Sequence, residues 1–340
     1  MSEIHPYRTV IPAIADTAPR PLWSVMIPTY NCAHYLRQTL TRVLAQDPGA
    51  EVMQIQVVDD CSTLDDPEAV VKEVGQGRVE FYRQPQNVGY IRNFETCLQR
   101  SRGELIHLLH GDDYVLDGFY SQLQQGFEQH PELGAAYCRH FYVNEQDQVQ
   151  GYSYLEQPES GLLSDHLTRI VTRHPIQTPS IVVRRAVYEQ LGGFDCRMSS
   201  CGEDWEMWSR IAVHYPFWYE TQPLAAYRSH IKSLSGKSAR TGQNVRDMRL
   251  ATKIIQAYLP ATAAPTLVEQ ASKMWAFWGL HWAERMLAQR DFMGAIAQVR
   301  EALRCNHSPP VLLAIGQLLL DTIKHSLQYR LGLLFRKVST

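Results

Sequence analysis

Short apolar runs alternate with stretches of helical spacing through the first third of the chain. "WSVMIPTYN" (residues 23–31) is an apolar run ended by Pro28, which predicts a buried strand stopping in a loop. "AHYLRQTLTRVLAQ" then places Tyr35, Leu36, Leu40, Val43 and Leu44 at helical spacing, the mark of an amphipathic helix. The pattern repeats: "EVMQIQVVDDCS" reads as a strand ending in acids, "PEAVVKEV" as a helix and "VEFYRQP" as a third strand. "YIRNFETCLQRS" follows as a helix and "ELIHLLHGDD" as a fourth strand. Strands alternating with helices predict a doubly wound, mostly parallel α/β sheet flanked by helices. Ligands of such sheets sit outside the carboxyl ends of the strands. Tyr30-Asn31, Asp59-Asp60 and Asp112-Asp113 all fall at strand ends, so three segments aim polar groups at one rim.

Further on, "AAYCRHFYVNE" predicts a strand with a turn, and "TPSIVVRRAVYEQLGGF" a strand, a helix and a glycine stop. "GEDWEMWSRIAV" opens a helix with acids in its first turn, where they suit the helix dipole. From about residue 240 helical patterns dominate, including stretches over 266–289 and 292–304. "LAQRDFMGAIAQVREAL" reads as a helical hairpin; a single copy is no repeat array. Pro6, Pro12, Pro19 and Pro21 mark residues 1–21 as an extended leader. The expected organisation is therefore leader 1–21, an α/β domain over 22–236 and an α-helical C-terminal region over 237–340.

Composition changes this picture little. The 340 residues carry 33 basic and 35 acidic side chains, a net charge of -2, without the basic excess that wholesale nucleic-acid binding needs. Seven cysteines stand without paired spacing and no CxxC occurs, which points to reduced thiols in the cytoplasm. The start has neither a basic segment nor a long apolar core, so no signal peptide is read there. No apolar run approaches the roughly 18 residues of a membrane span.

The candidate chemistry begins with Asp112 and Asp113 in "HLLHGDDYV". Adjacent carboxylates repel and are costly to bury. They are either a turn or helix cap, or a handle for a divalent metal that takes oxygen ligands and leaves places for phosphate oxygens. Asp59 and Asp60 are either loop residues or acceptors for a base N–H or a ribose hydroxyl. In "NVGYIRNFE", Gly89 permits a tight turn, and Arg92 or Asn93 could face the same rim; plain capping by Asn87 is the alternative. Glu203 and Asp204 are dipole-favourable acids or a general base with a neighbour. His230, in "YRSH", is by itself more readily a structural histidine than a ligand.

Taken in order, "SVMIPTYN", "VVDDCS", "NVGYIRNFETCL", "GELIHLLHGDD", "GGFD", "GEDWEMWSR" and "YRSHIKSLS" resemble the blocks of the family 2 glycosyltransferases, inverting enzymes with the GT-A fold. The resemblance covers about residues 22 to 236, making that span the catalytic domain. It implies transfer of a sugar from a nucleoside-diphosphate sugar to an acceptor hydroxyl, in surface polysaccharide or glycolipid synthesis, with Mg²⁺ or Mn²⁺ as cofactor. By position it makes Asp113 a metal ligand, with Asp112 near the ribose and donor sugar. Asp60 would take the nucleotide base, with Asp59 supporting the loop. Pro28, Tyr30 and Asn31 would form the nucleotide's bed, and Arg92 would lie near the base or diphosphate. Asp204 matches the catalytic base, Glu203 would help place the acceptor, and His230 can face the metal or the diphosphate. One departure stands out: many members carry an acid two residues before the first of these aspartates, where this chain has His110.

Two rivals remain. A sugar-1-phosphate nucleotidyltransferase would want glycines and a lysine near its first strand, and "MIPTYNCAHYL" has neither. A non-catalytic nucleotide-sugar binding module would not need both Asp113 and Asp204. Beyond the motifs, Leu312, Ile315, Leu319, Ile323, Leu327, Leu331 and Leu334 recur on one helical face, with Lys324, Arg330, Arg336 and Lys337 toward the end. Such a helix either packs on the catalytic domain or a second subunit, or lies on the inner membrane face beside a saccharide or lipid-linked acceptor.

Overall fold

Alternate residues of the first strand feed different cores. In β1 (Trp23–Thr29) Val25 and Ile27 enter one apolar cluster and Met26 the other, and all seven positions are buried. A strand covered on both faces is mostly apolar, hence the run over residues 25–28 in the sequence; the one polar residue before it, Ser24, is buried with its hydroxyl donating to Gln54 Oε1 at 2.6 Å. The structure, a computed structural model, describes residues 6–15, 19–229 and 238–338, with side chains to Thr322 and that of Lys324. It forms two compact units, 1–197 with 203–230, and 198–202 with 231–340.

In the first unit β1 is followed by α1 (Ala33–Leu44), β2 (Met53–Asp59), α2 (Pro67–Gly75), β3 (Glu80–Arg83), α3 (Tyr90–Arg100) and β4 (Leu105–Leu108). Then come β5 (Tyr114–Val115), α4 (Phe119–Gln129), β6 (Ala135–Val143), β7 (Val149–Tyr152), β8 (Gly161–Leu162) and α5 (His166–Arg173). A 3₁₀ turn leads to β9 (Ile181–Arg184), α6 (Arg185–Leu191), α7 (Glu203–His214) and β10 (Phe217–Arg228). The sheet order is β3-β2-β1-β4-β9-β6-β10-β5, with β7 on β6 and β8 on β10. Six of the eight strands on this path share one direction; β9 and β5 oppose them. The mostly parallel α/β reading therefore holds. Helices α1, α2 and α4 pack on one face, and α3, α5, α6 and α7 on the other.

The sequence reading passes over α4 and the full length of β10, and the reason is mutual. Gly126 interrupts the helical pattern of α4, yet a Cβ there would lie 2.7 Å from the Trp218 ring of β10. The glycine that weakens the helix signal makes room for the strand's largest side chain. Pro223 and a register irregularity divide β10 in turn, as expected where a ladder donor is missing.

Residues 7–12 run along the same unit. Gly193 N–H donates to Thr9 O at 2.8 Å and Cys196 N–H to Tyr7 O at 3.0 Å. Arg185 donates to Pro12 O at 2.9 Å, and Arg8 reaches the buried Glu206 at 3.0 Å. Ile11 is fully buried.

The second unit is helical: α8 (Gln243–Gln256), α9 (Ala264–Ala288), α10 (Phe292–Cys305) and α11 (Pro309–Val338). Asp291 caps α10 by accepting from Gly294 N–H at 3.0 Å. Asp247 of α8 holds the 198–202 segment, accepting from Ser200 N–H and Ser200 Oγ, each at 2.8 Å. The final helix departs from the expected single stripe: Val311, Ala314, Ile315 and Leu318 pack inward, while Leu312 and Leu319 are exposed. Residues 311–320 are apolar on more than one side, so spacing alone selects no unique face. Side chains of Ile323, Leu327, Leu331, Leu334, Arg330, Arg336 and Lys337 lie outside the described residues. None of the described helices is long and apolar enough to cross a membrane.

The spacing of β1 and β4, whose ends carry the candidate acids, depends on Gly103. A Cβ there would sit 2.5 Å from Ser24 N and from the Trp23 carbonyl carbon. Because the obstacle is backbone, Gly103→Ala should destabilise the protein by about 1–3 kcal/mol. A fall in the urea midpoint at unchanged slope is the expected result.

Candidate functional site

The polar ends of β1, β2 and β4 meet at the carboxyl rim of the parallel strands, each loop tied to the next. After β1, Asn31 adopts a left-handed conformation (φ 51°). Its Oδ1 accepts from Thr63 and Leu64 N–H at 2.9 and 3.0 Å, and its own N–H donates to Ser62 Oγ at 2.8 Å. Asn31 thus braces the loop after β2, while neighbouring Tyr30 is exposed. Pro28 O accepts from Gly111 N–H at 3.0 Å, which fixes the third loop to the first.

Asp59 and Asp60 divide the work at the end of β2. Asp59 is fully buried, accepts from Ser62 and pairs with Arg83 Nε at 2.7 Å, so its carboxylate is spent on the loop. Asp60 accepts from Val88 N–H at 2.7 Å and Gly89 N–H at 3.1 Å, just ahead of α3. Burial raises its pKa; the two N–H groups pull it down and Asp59 adds to the rise. Gly89 is required here, at φ +86°, because the chain must turn into α3. Arg92, one turn into α3, is exposed and lines a small surface cavity with Val88–Ile91 and Cys196.

The loop after β4 gathers His110, Asp112 and Asp113, with one ligand atom from each lying within 4.8 Å of the others. Gly111 lets the loop pass close to β1: a Cβ would lie 3.0 Å from Thr29 Oγ1. Thr39 of α1 clamps it from below, donating to Asp113 O at 2.7 Å. Asp113 is buried; its Oδ1 accepts from Arg228 N–H at 2.8 Å, and its Oδ2 has no hydrogen-bond partner. Burial pushes its pKa well up and Asp112 adds to this, against the Arg228 N–H and charge. An orphaned, buried carboxylate oxygen within a His-Asp-Asp cluster fits a hard divalent cation, which would relieve both burial and repulsion.

His110 replaces an acid without leaving the cluster. Its ring stacks on Phe94 (centroids 5.0 Å, planes 18° apart), and Nδ1 lies 3.7 Å from Asp113 Oδ2. Burial lowers its pKa, against the pull of Asp112 and Asp204, so the ring is neutral and able to offer a lone pair. Phe94 also packs edge-on against Tyr90 (5.6 Å), whose hydroxyl donates to Glu203 Oε2 at 3.3 Å. One aromatic ladder therefore links the start of α7 to the acid loop.

Asp204 opens the first turn of α7, its Oδ1 accepting from Trp205 N–H at 2.7 Å. His174 Nε2 lies 3.8 Å from Asp204 Oδ2. Burial raises the pKa of Tyr227, and the charges of Asp113, Asp112 and Asp204 raise it further. Thus the structure brings together His110, Asp112, Asp113, Asp204 and Glu203, and sets Asp59, Asp60, Asn31 and Arg92 along the neighbouring rim. His230 lies outside the described residues.

Sequence reasoning missed Arg228, two residues earlier in the quoted "YRSH". Its guanidinium donates to Asp112 O (2.9 Å), Asn144 O (3.0 Å) and Gln38 Oε1 (2.7 Å), pairs with Asp147 at 2.6 Å, and lies over the Tyr35 ring. It also missed His174 and Tyr227. The motif pointed at the segment, but nothing local distinguishes a buried arginine clamp from a surface arginine.

Comparison with known proteins bears on the family and the fold. The pattern described as glycosyl transferase family 2 matches residues 24–192. An uncharacterized glycosyltransferase of Mycoplasma genitalium is 27% identical over 171 residues, 49% of this chain and 55% of the relative. Among solved structures, S. aureus TarS in complex with UDP-GlcNAc superposes with a TM-score of 0.61 at 16% identity, over 83% of this chain and 91% of that one. A mannosyltransferase from Pyrobaculum calidifontis in complex with GDP-Man and Mn²⁺ gives 0.57 at 20% identity, over 89% and 83%. At such identities the two structures speak for the fold. The family match and the glycosyltransferase relative show that this chain belongs to glycosyl transferase family 2 and is a glycosyltransferase.

Proposed function

We propose that the chain transfers a sugar from a nucleoside-diphosphate sugar to an acceptor hydroxyl with inversion at the anomeric carbon. The observation that carries this reading is the His110-Asp112-Asp113 cluster with its unpartnered Asp113 Oδ2, linked through Phe94 and Tyr90 to Glu203, the neighbour of Asp204. The cluster would hold a divalent cation, Mg²⁺ or Mn²⁺, which when bound supplies Lewis-acid stabilisation to a departing diphosphate. The mannosyltransferase with GDP-Man and Mn²⁺ supports that choice by analogy.

The chain's own residues divide the remaining work. Asp60, with Pro28, Tyr30 and Asn31 beside it, would receive the nucleotide, and Asp59 would keep that loop in shape. Arg92 would meet the base or diphosphate from α3. Asp112 would lie beside the ribose and donor sugar. Asp204 would take the acceptor hydroxyl's proton as the oxygen attacks, and Glu203, held by Tyr90, would orient the acceptor. His174 beside Asp204 would keep the carboxylate aimed. A single displacement needs no covalent sugar–enzyme intermediate, so an α-linked donor would give a β-linked product. The acceptor would be a growing saccharide or a lipid-linked saccharide; TarS with UDP-GlcNAc and the relative named O-antigen biosynthesis protein in Myxococcus xanthus support a polysaccharide role.

Incubation with Mg²⁺ or Mn²⁺ and a panel of nucleotide-sugars, with released nucleoside diphosphate as readout, tests the reading. Turnover should cease in excess chelator and return on adding Mn²⁺. Asp113→Asn should remove both turnover and metal-dependent diphosphate binding; full activity in chelator would refute the metal role. Asp204→Asn should lower kcat by about 10² or more while sparing donor affinity. A collapse of donor binding with normal kcat would make Asp204 a binding residue instead. Proton NMR of the first-formed product should show the anomeric configuration opposite to the donor's.

A further inference from the structure

Helix α10 is amphipathic in an unusual sense: its outward face is the apolar one. Inward it presents Ala295, Gln298, Glu301 and Ala302, all buried. Two of these are polar and hydrogen-bond within the unit. Gln298 donates to Asn244 Oδ1 at 2.6 Å, and Glu301 accepts from Arg249 at 3.2 Å. Outward stand Phe292, Met293, Ile296 and Leu303, between 38% and 76% exposed. Their positions, with those of Arg300 and Arg304, fall within about a third of the helix circumference at 3.6 residues per turn. Scattered exposed apolar residues are ordinary, but a contiguous patch marks a contact surface.

The charge on this face has one sign. Arg300 and Arg304 are each more than half exposed and share a single acid, the buried Glu301, with Arg246 and Arg249 of α8. Four guanidinium groups against one carboxylate leave a local excess of three positive charges. The carboxylate fixes the arginines in place without neutralising them. Apolar side chains flanked by fixed guanidinium groups match an anionic bilayer, with phosphates at the arginines and hydrocarbon at the apolar side chains. A second copy fits worse: a two-fold contact through this face would set each arginine cluster against its twin. Leu312, Leu313, Leu319 and Leu320 on α11 add exposed apolar surface to the same unit.

We propose that the helical unit binds the surface of an anionic lipid bilayer through the outward face of α10. The proposal needs no assumption about donor, metal or catalytic base, so its test stands apart from that of the glycosyl-transfer reading. The full chain should float with vesicles of equal parts phosphatidylcholine and phosphatidylglycerol, and not with phosphatidylcholine alone. Binding should weaken as salt rises. Arg300→Gln with Arg304→Gln should lower the partition coefficient by roughly fivefold per arginine. Met293→Ser with Ile296→Ser should abolish flotation. All four positions are exposed, so thermal melting of both variants should match the parent. Absence of flotation on anionic vesicles, or unchanged flotation of both variants, overturns the proposal. So does a lipid-free dimer in sedimentation velocity that Met293→Ser with Ile296→Ser converts to monomer, without vesicle binding by the parent; that result would assign the face to a second copy.

Discussion

The first unit depends on an arrangement around one buried arginine. Arg228 lies at the end of the twelve-residue strand β10, and its guanidinium is fully buried. Its backbone N–H holds the Asp113 side chain, while its side chain reaches the backbone of Asp112, the 144–147 turn and α1. An arginine presents five donors in a rigid fork, and here they tie two separate segments, the 144–147 turn and α1, to the acid loop. A lysine would supply the charge without the geometry. Removing the guanidinium would leave the Asp112 and Asn144 carbonyls and the Gln38 amide without their donor.

This explains why two adjacent carboxylates are tolerable at a strand end. Asp113 is pushed toward its neutral form by burial and by Asp112, yet its Oδ1 is held by a backbone donor and its Oδ2 is left open. The loop is kept rigid by groups that touch its backbone, chiefly Thr39, Pro28 O and Arg228. The Asp113 Oδ2 therefore stays without a hydrogen-bond partner. His110 extends the same economy: stacked on Phe94 and kept neutral by burial, it adds a donor atom without a third negative charge.

Much of this was legible in the sequence because the relevant signals are local. β1, β2 and β4 are buried on both faces and largely apolar, and each runs through apolar residues into a polar stop. Asp59, Asp60, Asp112 and Asp113 could be located for that reason alone. The Gly89 turn was visible because its left-handed backbone demands glycine. What was not legible is long-range. Arg228 meets Asp113 across 115 residues, His174 reaches Asp204 across a helix boundary, and Gly126 is explained only by Trp218. Leu312 and Leu319 mislead for another reason: where a helix is apolar on several sides, spacing cannot say which side is covered. On α10 the burial of Glu301 and the exposure of Met293 reverse what residue type alone would suggest.

The segment at residues 7–12 also bears on how the chain acquires its structure. Its partners are Arg185, Gly193, Asp195, Cys196 and Glu206, so each contact closes a loop of more than 170 residues. These residues leave the ribosome long before anything exists for them to bind. The strands β1 to β4 can pair early through short βαβ crossovers, whereas the strap must wait for α6 and α7. Its docking is a late event in folding that reports completion of the unit, because Ile11 and Arg8 find their burial and their ion pairs only on a surface assembled from the far end of the domain.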